Sequence, residues 1–503
     1  MSRAGCIVLL ASAISLSGCN LAPKYEQPAM PVTAEFPQQP ELGFNVATGD
    51  VSRQDVPAQA LASGVQSDAD MPWQQFFQDR TLLSLIAIAL VNNRDLQIAV
   101  ARMDQAQALW GIQRGEMFPQ IGAGLGEARQ RGPGFTGTSN VISSQYSAGV
   151  AITAFELDLF GRLRNLSEAA FQQYLATAEG ARAVQITLVA DTAVQYFRFR
   201  LAQALVILTE QTVKARQASY NLVNARFANG VASEMDAVQS KVLVDAAAAD
   251  LARYIRDEQM ARNALSVLIG QPLPQLTVPP MSFDDINGLA NVPSGLPSEL
   301  LTRRPDIRAA ENQLLAANAN IGAARAAFFP NISLTGSVGT ASTSLGGLFK
   351  SGSSAWAFTP SISVPIFTGG SLQAGFAQAE AAQREAIAKY EQRIQLAFRE
   401  VADALSGEAT LKTQLAARTA EAAAAQKFLD LSNARFFNGV SSYLEVQVAE
   451  IQLFNARVQQ VLTGFETVTN RINLYKAVGG GFDASAVQSK NKQPLTIVDI
   501  NPS

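Results

Sequence analysis

Histidine is absent from all 503 residues. That removes the commonest general base and the commonest metal ligand together. A zinc or copper site and a Ser-His dyad are disfavoured, and with no dense polar loop cluster an enzyme is the least supported class. Basic excess is lacking too: 39 Lys and Arg stand against 42 Asp and Glu, for a net charge of -3. Nothing in that balance points to nucleic acid. Long apolar runs are also missing, since nothing after the leader supplies the roughly 20 continuous apolar residues of a transmembrane helix. Cysteine occurs twice, as Cys6 and Cys19.

Residues 1–18 read as a signal peptide, with Arg3 ahead of a short apolar core from Ile7 to Leu16. Leu16-Ser17-Gly18-Cys19 resembles the lipobox of bacterial lipoproteins. The resemblance implies that Cys19 is acylated and becomes the first mature residue. Cys6 then leaves with the leader, so no intrachain disulfide is expected. Asn20, in place of aspartate, favours the outer membrane by the same resemblance. Beyond the covalent lipid on Cys19, no cofactor or metal is expected.

What is present is a duplication. Asn224 to Ser233 reappears as Asn433 to Ser442, an offset of 209 residues, with eight of ten pairs identical. Arg262, Leu265 and Gly270 meet Arg471, Leu474 and Gly479 at that offset. Upstream it becomes 211: Asp95, Gly111, Arg114, Phe118-Pro119 and Ile121 meet Asp306, Gly322, Arg325, Phe329-Pro330 and Ile332. The period exceeds the roughly 20–50 residues of solenoid repeats. Each half is expected to contribute an equivalent piece to a symmetric object.

Along the chain, 19–72 is Pro-rich and reads as an extended lipidated segment. The first repeat, 73–270, opens with a helical pattern to about Glu116. At Phe118-Pro119 the period changes from 3.6 to 2, predicting a hairpin over 119–155. A long helix from Leu163 to about Ala228 follows, near 100 Å at about 1.5 Å per residue. Asn229-Gly230 breaks it, and another helix runs to Ile269. The connector 271–297 is rich in Pro and Gly. The second repeat, 298–480, has the same layout, with a hairpin over 330–367 and a break at Asn438-Gly439. The tail 481–503 is polar.

Four short amphipathic strands feeding such helices make sense in a membrane. A bilayer admits only helices and closed barrels, and four strands cannot close one. Several chains must therefore share a barrel. The layout resembles the TolC-like outer-membrane factors. Cys19-Asn20-Leu21-Ala22-Pro23-Lys24-Tyr25 and Leu296-Pro297-Ser298-Glu299-Leu300-Leu301-Thr302-Arg303-Arg304-Pro305-Asp306-Ile307 resemble their lipoprotein branch, the NodT- and OprM-like efflux lipoproteins. The resemblance implies an α+β membrane protein: a trimeric 12-stranded transmembrane β-barrel with four strands per chain, continued by a long periplasmic α-helical barrel. It implies a homotrimer in the bacterial outer membrane, lipid-anchored and extending into the periplasm. Its partners would be outer-membrane lipid, a periplasmic adaptor and an inner-membrane pump of the RND type. Its task would be passive conduction of small molecules.

Function should concentrate at the two breaks, near 229–236 and 438–445. Asn-Gly suits a helix end, and Ser233 with Asp236 reads as an N-terminal cap, as does Ser442 with Glu445. The resemblance makes these turns periplasmic tips, with Gly230, Val231, Gly439 and Val440 as adaptor-docking candidates. Asp236 and Glu445 would ring the aperture, and Leu444 matches an apolar constriction. A tip aspartate usual in the family is Val448 here, which shifts closure towards apolar contact. Trp356, Phe358 and Tyr146 read either as membrane-interface aromatics or as ordinary strand formers. Gly369-Gly370 lacks the Lys-Ser/Thr of a P-loop, and Gly122 to Gly126 lacks dinucleotide spacing. Two other classes remain open: the exit duct of a type I secretion system, and a non-channel structural lipoprotein tethered by Cys19.

Overall fold

A computed structural model describes residues 20–33, 35–56, 71–133, 140–273, 279–281, 288–290 and 304–480. The leader, Cys19, most of the connector, Leu296 to Arg303 and the tail lie outside the described residues. The elements are β1 (Gln39–Phe44), β2 (Val51–Val56), α1 (Arg80–Asn92), α2 (Arg94–Gly115), β3 (Ile121–Pro133), β4 (Asn140–Leu157), α3 (Arg162–Ala228), α4 (Glu234–Ile269), α5 (Pro305–Ala326), β5 (Asn331–Ser342), β6 (Ser354–Ser363), α6 (Ser371–Phe437) and α7 (Tyr443–Ala477). Helices α3 and α6 each run 67 residues. The chain divides into two compact units: Met1–Ala29, Ala101–Ala178 and Ala309–Gln392 form one, and Met30–Val100, Glu179–Arg308 and Arg393–Ser503 the other.

The first unit holds an antiparallel sheet in the order β3-β4-β5-β6. Partner residues share a face, so the register lays out its two surfaces. One carries the rows Ile121–Ile152–Gly336–Phe358 and Ala123–Val150–Val338–Trp356. The other carries Gly122–Ala151–Ser337–Ala357 and Gly124–Gly149–Gly339–Ala355. Apolar bulk is thus segregated from small residues along these rows, while Glu127, Arg129 and Arg131 continue the apolar face of β3 with charge. The large apolar side chains are exposed, Trp356 at 78% and Val338 at 63%. A register shift interrupts β4 against β5 between Ile152 and Phe155, and Ala154 there has φ +51°. Its N–H donates to Thr335 Oγ1 at 3.1 Å, which holds the bulge. Strand β6 ends at Ser363, earlier than alternation through 367 suggests, because Pro365 cannot donate to a ladder.

Leu21, Pro23 and Tyr25 of this unit lie along α5, bonded to Arg325, Asn318 and Glu311, and Gln27 bonds to Tyr390 on α6. Below the sheet Ala169, Ala316 and Ala319 are buried together. Such small side chains let α3 and α5 approach closely.

The second unit contains an apolar core built from α1, α3, α4 and α7. Phe76 stacks on Tyr475 with centroids 4.0 Å apart, and the Tyr475 hydroxyl donates to the Met71 carbonyl at 2.7 Å. The helical pattern before β3 reads as one helix, yet it bends by 42° between α1 and α2. Asn93 makes the break: its Nδ2 donates to Leu268 O at 2.9 Å and its Oδ1 accepts from Leu96 N at 2.9 Å. No single helix among the described residues is long and apolar enough to cross a membrane.

The duplication reappears in this joint. Arg304 occupies the position equivalent to Asn93, and its Nη1 donates to Ala477 O, equivalent to Leu268 O, at 2.8 Å. Arg304 also pairs with Asp306 and with Glu400, each at 2.8 Å. The Arg304-Pro305-Asp306 motif is therefore a clamp that closes the C-terminal end of α7. The hairpin β1–β2 was not legible in a segment read only as extended. It packs on α6, where the Thr413 hydroxyl donates to Leu42 O and Phe36 stacks on Phe398 at 4.9 Å.

Candidate functional site

The two breaks fold as copies of one turn. Gly230 and Gly439 adopt φ of +71° and +70°, a region that favours glycine. At the first, Val231 N donates to Arg226 O at 2.8 Å and Gly230 N to Phe227 O at 2.9 Å. At the second, Val440 N donates to Arg435 O at 2.9 Å and Gly439 N to Phe436 O at 3.0 Å. Each is a Schellman motif that satisfies the last carbonyls of its helix. Asn229 and Asn438 add the same bond, Nδ2 to the carbonyl four residues back at 2.7 Å.

The helix starts that follow are not copies. Ser233 forms a capping box: Asp236 N donates to Ser233 Oγ at 3.1 Å, and Ser233 N donates to Asp236 Oδ2 at 3.1 Å. Ser442 makes no side-chain cap bond, which corrects the expectation that it repeats Ser233. Glu445 instead pairs with Arg435 at 3.3 Å. One further methylene lets glutamate reach back to the preceding helix, where aspartate is confined to its own cap. The equivalent arginine, Arg226, lies over the Phe436 ring at 4.8 Å.

Both turns belong to one packed assembly within the second unit. Val223, Ala237, Tyr443 and Val446 are buried together, with Ala232, Leu429 and Phe436 against them. Val231 (64%), Val440 (65%) and Leu444 (56%) stay exposed, and Phe437 and Met235 join them as an apolar surface. Asp236 and Glu445 are each half-buried and already engaged, so neither is a bare carboxylate.

Behind the turns lies a polar group that the sequence did not suggest. Arg216 is 5% exposed and donates from Nη1 to Leu243 O at 3.1 Å. Ser219 Oγ donates to Glu450 Oε1 at 3.0 Å. Arg216 and Glu450 line a cavity of about 260 Å³ with Gln426 and Arg457. Burial, outweighing Ser219 and Arg216, holds the Glu450 carboxyl above its ordinary range. Burial and then Glu450 push the Tyr443 phenol up to about 12. No periodic signal marks these residues, because each reads as one more polar position on a long helix.

This fold is shared by solved outer-membrane channels. The open-state MtrE channel of Neisseria gonorrhoeae superposes with a TM-score of 0.79 at 36% identity, covering 92% of this chain and 98% of that one. The solvent efflux pump outer membrane protein SrpC of Pseudomonas putida is 43% identical over 475 residues, 94% of this chain and 97% of its own. The cation efflux system protein CusC of Escherichia coli is 39% identical over 473 residues, 93% and 97% of the two chains. The outer membrane efflux protein model matches residues 85–271 and 296–480, one match per repeat. The chain belongs to the outer membrane efflux protein family.

Proposed function

We propose that this chain is the outer-membrane exit duct of an efflux pump, passively conducting small molecules delivered by an inner-membrane pump of the RND type through a periplasmic adaptor. The observation that carries the reading is the sheet. Its apolar face suits lipid, its glycine- and serine-lined face suits a water-filled bore, and its outer strands β3 and β6 have open edges. Open edges of 13 and 10 residues must be paired in a bilayer. Three chains, edge to edge, give twelve strands, an even number in the range of single-chain barrels. Acylation of Cys19 adds a lipid anchor.

The two turns form the periplasmic tips. Val231, Val440, Phe437 and Leu444 supply an apolar surface for docking the adaptor and narrowing the bore. Asp236 acts first in the cap of its own helix and Glu445 on Arg435 of the preceding helix, and both supply negative charge around the aperture second. One relative is named for solvents and another for cations, so likeness at this level leaves the cargo to the pump.

The test is reconstitution of the purified full chain. Chemical crosslinking should stop at three copies, and planar bilayers should show discrete channel openings. A monomer with no conductance in planar bilayers would overturn the proposal.

A further inference from the structure

Arg216 and Glu450, behind the two turns, take no part in the turn bonds or in the proposed duct. Arg216 stands on α3 and is 5% exposed. It reaches two other helices: Nη1 donates to Leu243 O on α4 at 3.1 Å, and the guanidinium lies over the Phe454 ring of α7 at 5.4 Å. Its Nε is buried with no partner, and so is Glu450 Oε2. Glu450 and Asp250 act on Arg216 through space, and burial, outweighing them, holds the guanidinium below its ordinary value. A buried cation without an ion-pair partner is costly, so added negative charge is favourable beside it.

The cavity there has room and donors for such a charge. Its volume of about 260 Å³ is several times the roughly 30 Å³ share of one water. Arg216 lines it from α3, Gln426 from α6, and Arg457 and Glu450 from α7. Arg457 is positioned by its Nη2, which donates to Gln426 Oε1 at 2.6 Å. Guanidinium forks match the oxygens of a small oxyanion. Ser219 Oγ donates to Glu450 Oε1 at 3.0 Å, and burial favours the neutral acid. A neutral carboxyl offers an O–H donor where a carboxylate would repel an anion.

The duplication supplies an internal comparison. At the offset of 209, Arg216, Glu450 and Arg457 correspond to Ala425, Lys241 and Ala248. Lys241 is exposed and pairs with Asp245. The equivalent positions thus carry no buried charge, and the architecture does not demand one at Arg216.

We infer that Arg216, Arg457 and the Glu450 carboxyl form a site for a small inorganic oxyanion, which ties the α3–α4 pair to the α6–α7 pair behind the turns. The groups around the carboxyl are Arg216 on α3 with Asp250 of α4 beyond it, Tyr443 and Arg457 on α7, and the uncharged Gln426 on α6. Binding keeps a proton on Glu450. Affinity therefore falls as pH rises through its raised value, by up to about tenfold per pH unit.

Sulfate keeps its charge across this range and is the probe, with chloride holding ionic strength constant. In calorimetric titrations of the purified full chain, about one sulfate per chain should bind near pH 5, and at least about tenfold more weakly near pH 8. Arg216→Gln and Arg457→Gln should each weaken binding about tenfold, the loss of one charge-assisted bond. Arg457 is only half-buried, so its variant guards against a folding defect at Arg216. Glu450→Gln keeps a neutral donor and should bind alike at both pH values. A wild type that takes up no sulfate near pH 5 would overturn the site and leave the cavity to water. Binding that survives unchanged in both arginine variants would also overturn it, by placing the ion elsewhere. Equal affinity at the two pH values in the wild type would remove Glu450 from the site.

Discussion

Two serines at equivalent positions of the duplication make different bonds in this molecule. Ser233 accepts from Asp236 N and is a working cap, while Ser442 makes no such bond. Ser233→Ala should therefore cost about 1 kcal/mol of stability, and Ser442→Ala close to nothing, in chemical melts followed by circular dichroism. Comparable losses at both sites would refute the capping difference. Gly230→Ala and Gly439→Ala should each cost about 1–2 kcal/mol, since both turns need the left-handed region. The sequence made the glycines legible, because Asn-Gly after a helical run has few other uses. It misread Ser442 because the choice between a cap and an ion pair depends on Arg435. That partner lies seven residues before the serine and is brought back to the helix start only by the turn itself.

Elements meet at joints whose charges respond to pH in opposite senses. Burial raises Asp306, but Arg304, Arg393 and the Ile307 N–H outweigh it and hold its carboxyl below the ordinary range. A depressed acid contributes stability above its ordinary value of about 3.9, and that contribution is lost as pH falls below it. Glu450 is the reverse case. A raised acid favours folding while protonated, so its contribution fades as pH rises from the ordinary glutamate range through the raised value. Glu450→Gln should flatten the dependence of thermal stability on pH in that window, and an unchanged slope would count against the buried carboxyl. Arg304→Ala should cost about 3–5 kcal/mol, because it removes the ion pair with Asp306 and leaves the Ala477 carbonyl without its donor. The helices themselves were legible from periodicity and the absence of proline. The bend at Asn93 was not, since its cause is the Leu268 carbonyl on a helix 175 residues later.

For the molecule as a whole, adjacent residues of one strand face different surroundings. Val338 lies in the apolar row with Val150 and Trp356, and Ser337 in the small-residue row with Ala151 and Ala357. In the proposed barrel Val338→Arg should cost about 2–4 kcal/mol near the bilayer middle and reduce the inserted fraction in urea-resistance assays. Ser337→Arg should insert normally and lower single-channel conductance. If the two variants behave alike, the assignment of the faces is wrong. At the tips, Asp236→Ala with Glu445→Ala should raise conductance and weaken cation preference, and unchanged values would remove the aperture role for these acids. Four strands and two equivalent halves could be read from the sequence, but the number of chains needed to close the wall could not, because edge pairing leaves no trace within one chain.

The paired turns carry a consequence for how such a protein can change over time. A ring of six separate half-chains would repeat every substitution six times, and any adjustment would be felt all around. Fusion of two copies halves that multiplicity. Arg226 over an aromatic ring and Arg435 on a carboxylate are twins that have already taken different employment. In a three-chain assembly their positions alternate, so one kind of tip is free to drift towards a new neighbour while the other preserves the old fit.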